Sequence, residues 1–413
     1  MIITKTETVK AKGDGLCYVN GREVYVPFVW TGEEIELRES GKSFKLEKII
    51  TPSPARVQPF CPYYTKCGGC RLQHINNETY LKFKYNILLD TLRQRGIDCN
   101  INDIITLPRG IRRRAEFSSV CAGKSHWFGF NGLRSKEVIN IKQCDLLVPA
   151  INQAIPHIKD MVKNFNGDVF VTLADNGLDI LLTGKYYPDF AFLESMADFC
   201  AKTNTVRISW RAVVDMLPEV MIQVAQPVIK IADIDLKLPS GCFLQPSREG
   251  QAELTNKVLA YLSKETKVAD LFAGLGTFAL PISKKAGGAK VSAFDIFSPA
   301  MASLDSVKSK GIKTYARDLF NLPLTPDELK EFQAVVLDPP RAGAENQSRN
   351  LAKSDVERIV YISCNPATFA RDAKILTDQG GYLLREITPV DQFAYSPHLE
   401  LVALFDRKAG IAV

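Results

Sequence analysis

The chain has 413 residues, 46% of them hydrophobic and 24% charged, with 52 lysines and arginines against 46 aspartates and glutamates and a net charge of +6. These are the fractions of a soluble globular protein, and the length predicts two or three domains rather than one core. No apolar run is long enough to span a bilayer, and the modest basic excess permits a nucleic-acid partner without requiring one.

The N-terminal MIITKTETVK carries no apolar signal-like stretch, and with ten cysteines in the chain this points to a reducing, cytoplasmic setting in which clustered thiols bind metal or do chemistry. From Val9 to about Ile50, short apolar runs are cut by glycines. Val24-Tyr25-Val26 and Ile35-Glu36-Leu37 read as strands and Asn20-Gly21 as a hairpin turn, which predicts a small β-barrel of OB-like size. Such barrels serve as oligonucleotide binders and also as caps without a ligand. Pro52, Pro54 and Pro59 mark a linker.

In CPYYTKCGGC, Cys61, Cys67 and Cys70 follow one another with five and then two residues between them. Gly68-Gly69 lets the backbone fold tightly around a metal and aim amides at sulfur. A tetrahedral or cubane site needs a fourth ligand, for which His74, Cys99, Cys121 and Cys144 are candidates. Zinc and an iron–sulfur cluster both fit the local spacing, with a slight lean to zinc. YLKFKYNILLDTL (Tyr80–Leu92) has helical, amphipathic spacing. Arg109, Arg112, Arg113 and Arg114 precede alternating strands that carry Trp127, Phe128, Phe130 and Lys136. That set could grip phosphates and stack bases, the plainer alternative being a solvated charged loop. Residues 149–234 mix helices and strands without a chemical motif, as expected of an α+β domain that holds substrate.

From Gly241 on, strands alternate with helical segments. The strand VADL runs into FAGLGTF, and a second strand ends at Asp295, 19 residues beyond Gly276. Further strand ends lead to Asp318, to Asp338-Pro339-Pro340-Arg341 and, after the apolar run Ile359–Ile362, to Cys364. This is the pattern of a doubly wound α/β sheet with a ligand at the carboxyl ends of its strands. Gly274 and Gly276 permit close backbone approach to that ligand, and Asp295 can take ribose hydroxyls. GLGTFA also satisfies the G-x-G-x-x-A pattern, so a nicotinamide-dependent oxidoreductase is a rival, and an RNA-binding protein without catalysis is another. The acids at two further strand ends and the Pro-Pro turn facing a thiol favour S-adenosylmethionine. Pro366 is placed to open a helix, which puts Cys364 on a strand-to-helix turn whose amides can stabilise a thiolate. A thiolate that attacks C6 of a pyrimidine makes C5 nucleophilic enough to take a methyl group. A base must then remove the C5 proton before the cysteine can leave.

FLQ (Phe243–Gln245), DLFAGLGTF (Asp270–Phe278), LDPPRAG (Leu337–Gly343), SCNPATFARD (Ser363–Asp372) and PHLE (Pro397–Glu400) together resemble the RumA/TrmA-type RNA uracil-C5 methyltransferases, in order and over nearly the whole chain. The resemblance implies three parts: a TRAM-like β-barrel (1–52), an iron–sulfur-containing central RNA-binding domain (53–240) and a Rossmann-like class I methyltransferase domain (241–413). It implies Cys364 as nucleophile and Glu400 as the base for the C5 proton. Gln245, Phe272, Thr277, Asp295, Asp318 and Asp338 match cofactor-contacting positions, and Asp338 and Gln245 reach the uracil edge as well. It also implies a [4Fe-4S] cluster on Cys61, Cys67, Cys70 and Cys144, against the lean to zinc. The chain departs from the ribosomal members at Thr277, where they have asparagine, at Asp295, where they have the longer glutamate, and in AYSPHLE, which lacks an upstream histidine. Uracil in 23S ribosomal RNA is the implied substrate, with the T-loop uracil of tRNA as the alternative; no membrane and no obligate protein partner are expected.

Overall fold

The computed structural model describes residues 1–408 apart from 42, 188, 189, 263, 286, 287 and 308–310. Five antiparallel strands come first: β1 (Ile2–Val9), β2 (Asp14–Val19), β3 (Arg22–Pro27), β4 (Glu34–Ser40) and β5 (Ser43–Thr51). Their inward side chains, Cys17, Val19, Val24, Val26, Ile35 and Leu37, form a small core. The strand order is β3-β2-β1-β4-β5, so β3 and β5 are edges with no ladder between them. The expected closed barrel is instead an open sheet. Pro27 has no amide to extend β3 into a further ladder, and Phe28, at φ 65°, turns the chain away.

Helix α1 (Asn77–Arg93) starts at Asn76, whose side chain accepts from the Thr79 amide at 2.9 Å. It is followed by β6 (Asn100–Ile101). The central sheet contains β7 (Arg114–Ala122), β8 (Ser125–Asn131), β9 (Val138–Asn140), then, after α2 (Pro149–Met161), β10 (Gly167–Leu173) and β11 (Leu178–Thr183), and, after α3 (Phe190–Thr203), β12 (Thr205–Arg211) and β13 (Glu219–Gln223). Its order is β13-β12-β11-β10-β7-β8-β9, with Ile151, Ile155 and Ile158 of α2 and Met196 and Phe199 of α3 packed on it. A hairpin of β14 (Val228–Ile231) and β15 (Ile234–Lys237) leads into the C-terminal part.

That part runs α4 (Arg248–Tyr261), β16 (Lys267–Leu271), α5 (Ala279–Lys284), β17 (Lys290–Asp295), α6 (Ser298–Ser306), β18 (Ile312–Ala316), α7 (Pro326–Leu329), β19 (Ala334–Leu337), α8 (Glu345–Ala352), β20 (Arg358–Ser363), α9 (Pro366–Gly380), β21 (Tyr382–Val390) and β22 (Glu400–Arg407). The sheet order is β18-β17-β16-β19-β20-β22-β21-β6. The five strands from β18 to β20 are parallel, and β22 is antiparallel to both of its neighbours. The central strands are mostly apolar because both faces are covered, Asp270 of β16 being a buried exception. Val336 and Val360 face a core shared with α4, α5 and α6, while Val335 and Ile359 face one shared with α1, α8 and α9. Residues 77–101 therefore pack on the C-terminal sheet, although the sequence places them in the central domain, and Ile229, Ile231 and Leu236 of the hairpin join its first core. Strand order reverses between β16 and β19, which opens a crevice at the carboxyl ends of the strands. No helix among the described residues is long and apolar enough to cross a membrane.

Candidate active site

The last rung between β20 and β22 pairs Ser363 with Leu401. Cys364, the residue after β20, and Glu400, the first residue of β22, therefore lie side by side just past it, at the same edge as Asp338, the residue after β19. A cavity of about 680 Å³ opens there, lined by Cys364, Glu400, Asp338, Gln245, Phe272, Gly274, Asp295 and Asp318 among others. Of the residues expected to act on the base or the cofactor, Thr277 alone does not line it; it lies past Gly276 on the turn into α5. Gly276 also differs from expectation. It adopts φ 80°, and a Cβ there would stand 2.8 Å from Leu304 of α6, so its bareness serves helix packing rather than ligand approach. Gly274, at φ 54°, does face the cavity.

The acids at the strand ends are held by backbone amides. Asp295 accepts from the Gly274 amide at 2.9 Å and the Phe297 amide at 2.8 Å. Asp318 accepts from the Phe320 amide at 2.9 Å and from the Asn321 side chain at 2.6 Å, and the Asn321 contact holds it below the usual carboxylate range. The rings of Phe272 and Phe320 meet with centroids 5.5 Å apart beside them. At the other end of the cavity the Gln245 amide donates to Asp338 at 3.1 Å.

Electrostatically the site is crowded with carboxylates. Burial raises Asp338 above the ordinary carboxylate range and Asp295 adds to it; burial raises Glu400 as well, reinforced by Asp338. Asp270, fully buried and without a hydrogen-bond partner for either oxygen, is pushed well above that range by burial and then by Asp338. The Cys364 thiol is pushed up to about 12 by burial, then by Glu400 and Asp338, with Arg341 opposing. The expected thiolate stabilisation by the helix is thus outweighed. Pro366 opens α9 without an amide hydrogen, and the Ala367 amide is taken by the Asn365 side chain at 3.2 Å. The cavity also carries Arg112, Arg114, Arg317 and Arg341, so charges of both signs line it.

The arginine cluster is placed differently from the sequence expectation. Arg113 is 3% exposed and donates to the Gln245 carbonyl at 3.0 Å and to the Gln251 side chain at 2.7 Å. Arg114 donates to the Leu244 carbonyl at 2.7 Å and lies over the Phe243 ring at 4.9 Å. Both brace the FLQ segment; Arg113 is turned inward to do so, while Arg114 also lines the cavity. Arg109 lies over Phe60 at 4.4 Å. Arg112 lines the cavity, leaves its Nε buried without a partner, and lies within reach of the charges of Cys70 and Cys144.

The segment 61–70 docks on the turn between β8 and β9. The Gly68 amide donates to the Asn131 carbonyl at 2.9 Å, and a Cβ on Gly68 would stand 3.0 Å from that oxygen. Tyr63 holds the Lys142 amide with its hydroxyl at 2.8 Å, and the Cys144 amide donates to Asn152 at 2.8 Å. Cys144, rather than Cys99, Cys121 or His74, is thereby brought to the first three thiols. Burial pushes Cys70 up to about 12 and Cys144 up to about 11, and charges at Cys61 and Cys67 push further on both. No group of three or more ligand side chains among the described residues is tight enough for one ion.

Sequence reasoning missed Gln392, which is buried and donates to Gln245 at 2.9 Å and toward Glu400 at 3.5 Å. Its only sequence signal is its place eight residues before Glu400 on the loop into β22.

The sheet order, with an antiparallel strand inserted beside β20 and an acid-lined cavity at the switch point, defines an S-adenosylmethionine-dependent class I methyltransferase. A family model described as tRNA (uracil-5-)-methyltransferase matches residues 316–408. An uncharacterised RNA methyltransferase of Brucella suis is 36% identical over 97% of this chain and 96% of its own. The 23S rRNA (uracil(1939)-C(5))-methyltransferase RlmD of Vibrio vulnificus is 31% identical over 97% of this chain and 95% of its own. Among solved structures, the Pyrococcus abyssi tRNA (uracil-54, C5)-methyltransferase in complex with S-adenosyl-L-homocysteine shares the fold at TM-score 0.73 and 22% identity, over 98% of this chain and all of that one. The chain belongs to the RNA uracil-C5 methyltransferase family.

Proposed function

We propose that this protein methylates C5 of a uracil in 23S ribosomal RNA through a covalent cysteine adduct, in the cytoplasm. The carrying observation is that Cys364, just after β20, and Glu400, at the start of β22, line one cavity with Asp338 and Gln245. The uracil is flipped out of an RNA loop into this end, where Asp338 and Gln245 meet its polar edge. Phe272, Asp295 and Asp318 hold S-adenosylmethionine, which supplies an electrophilic methyl group. The Cys364 thiol gives its proton to water, its sulfur bonds to C6, the C5–C6 π electrons move to C5, and C5 takes the methyl group as S-adenosylhomocysteine departs. Glu400 then takes the proton from C5, the C5–C6 double bond reforms, and the thiolate leaves. Thr277 keeps a place in the cofactor site only if ligand binding moves its turn.

The full-length relationship to a 23S rRNA enzyme supports the ribosomal substrate. 5-Methyluracil mapped in RNA from cells with and without the gene should disappear from one 23S position; loss from the tRNA T-loop alone would transfer the assignment to tRNA.

Cys61, Cys67, Cys70 and Cys144 are the ligands of a [4Fe-4S] cluster in this reading. What supports it is the family resemblance, with an all-sulfur set whose members lie close enough to influence one another. The cluster ties the segment after the N-terminal sheet to the central sheet.

A further inference from the structure

Between Val390, which pairs with Glu400, and Glu400 itself the chain makes a loop whose beginning is fastened to helix α1. Lys84 of α1, fully buried, forms an ion pair with Asp391 and donates to the Phe393 carbonyl at 3.1 Å. The Tyr80 hydroxyl donates to Asp391 at 2.5 Å and accepts from the Tyr395 amide at 2.9 Å. Tyr395, at φ 59°, turns its carbonyl to the amides of Arg71 and Leu72, at 2.8 and 3.0 Å, the two residues after Cys70. Its ring stacks on Tyr80 and meets Phe60 edge-on, with centroids 5.6 and 5.0 Å apart. Gln392 sits inside this clamp.

We propose that Gln392 is a positioning residue, whose clamped side-chain amide orients both Gln245 and the carboxylate of Glu400. The proposal rests on the reading of Glu400 as the base for the C5 proton. The Gln392 amino group donates to the Gln245 carbonyl oxygen at 2.9 Å, which leaves the Gln245 amino group to face Asp338 at 3.1 Å. The hydrogen bonds thus fix which end of Gln245 meets the uracil. The same amino group points to Glu400 at 3.5 Å. The Gln392 carbonyl oxygen has no hydrogen-bond partner and lies against Gly250 of α4, where an added Cβ would stand 2.2 Å from it. That bare helix surface is what lets the amide sit where it does. Around Glu400 the charged or titratable groups are Asp338 from the end of β19 and Cys364 from the end of β20, with Arg341 beside the thiol. Gln392 favours the ionised carboxylate against burial and Asp338.

Two variants test this in single-turnover reactions with RNA and S-adenosylmethionine. Gln392→Met keeps the length and removes the amide. Gly250→Ala leaves Gln392 in place and forces its amide aside, with the Ser247 hydroxyl 2.8 Å from the new Cβ also yielding. Both should form the methylated protein–RNA adduct but resolve it about tenfold more slowly at neutral pH, the order of one lost charge-assisted hydrogen bond. The ascending limb of the resolution rate should move to higher pH by about one unit, because the carboxylate has lost a donor. A role in folding alone would lower thermal stability without moving that limb. Wild-type resolution rates and pH profiles in both variants would overturn the proposal while leaving Glu400 as the base. Failure of Glu400→Gln to accumulate any adduct would overturn the reading of Glu400 and this proposal together.

Discussion

Cys364, the nucleophile of the proposed reaction, is a thiol that burial and two carboxylates hold in its protonated form. Its place on a strand-to-helix turn was legible from the apolar run Ile359–Ile362 and Pro366, but its electrostatics were not. The two carboxylates that push it up come from β22 and from the end of β19, and no local pattern around Cys364 announces them. Arg341, which also lines the cavity, opposes them. The arginines show the converse failure. Clustered beside aromatics they read as a phosphate grip, yet Arg113 faces inward because the FLQ carbonyls need donors. Arg113→Ala should lose about 1–3 kcal/mol of stability, from a buried carbonyl left without its partner. The salt dependence of RNA binding should stay unchanged. Thermal unfolding and a salt titration of RNA affinity measure both; unaltered stability with a slope reduced by about 0.7–0.9 would return Arg113 to the phosphate grip.

At the scale of elements, strands covered on both faces were the easiest to read, since continuous apolar runs such as Ile359–Ile362 have no other home. The N-terminal strands were legible singly, but closure was not, because it depends on whether β3 and β5 meet, and Pro27 and Phe28 end β3 short of that. The three clustered thiols were legible as a group, and spacing alone left open which residue would join them; Cys144 comes near because the segment docks through Gly68 on the turn after β8. Anaerobically purified protein should be brown and contain iron and acid-labile sulfide. Cys144→Ser should lose both, while Cys99→Ser should keep them, since Cys99 packs against the C-terminal core instead. Stoichiometric zinc without iron would contradict the cluster.

Over the whole molecule, linkers and motif order suggested three parts, but the way the chain weaves between the sheets was not legible. Helix α1 and β6 join the C-terminal sheet before the central sheet begins, because the apolar face of α1, with Leu88 and Leu92, matches the open side of that sheet better than solvent. This weaving carries the segment after the cysteines to the loop that precedes Glu400 and makes one working unit of sequence-distant parts.

The central claim is that Cys364 and Glu400 perform successive steps on one uracil. The most direct measurement is denaturing electrophoresis of each variant after incubation with RNA and S-adenosylmethionine labelled in its methyl group. Glu400→Gln should accumulate a denaturation-resistant protein–RNA band carrying the label, because attack and methyl transfer precede the proton removal it cannot perform, whereas Cys364→Ala should bind RNA and show neither band nor transfer. A labelled RNA product released by Cys364→Ala, or wild-type turnover by Glu400→Gln, would contradict the account.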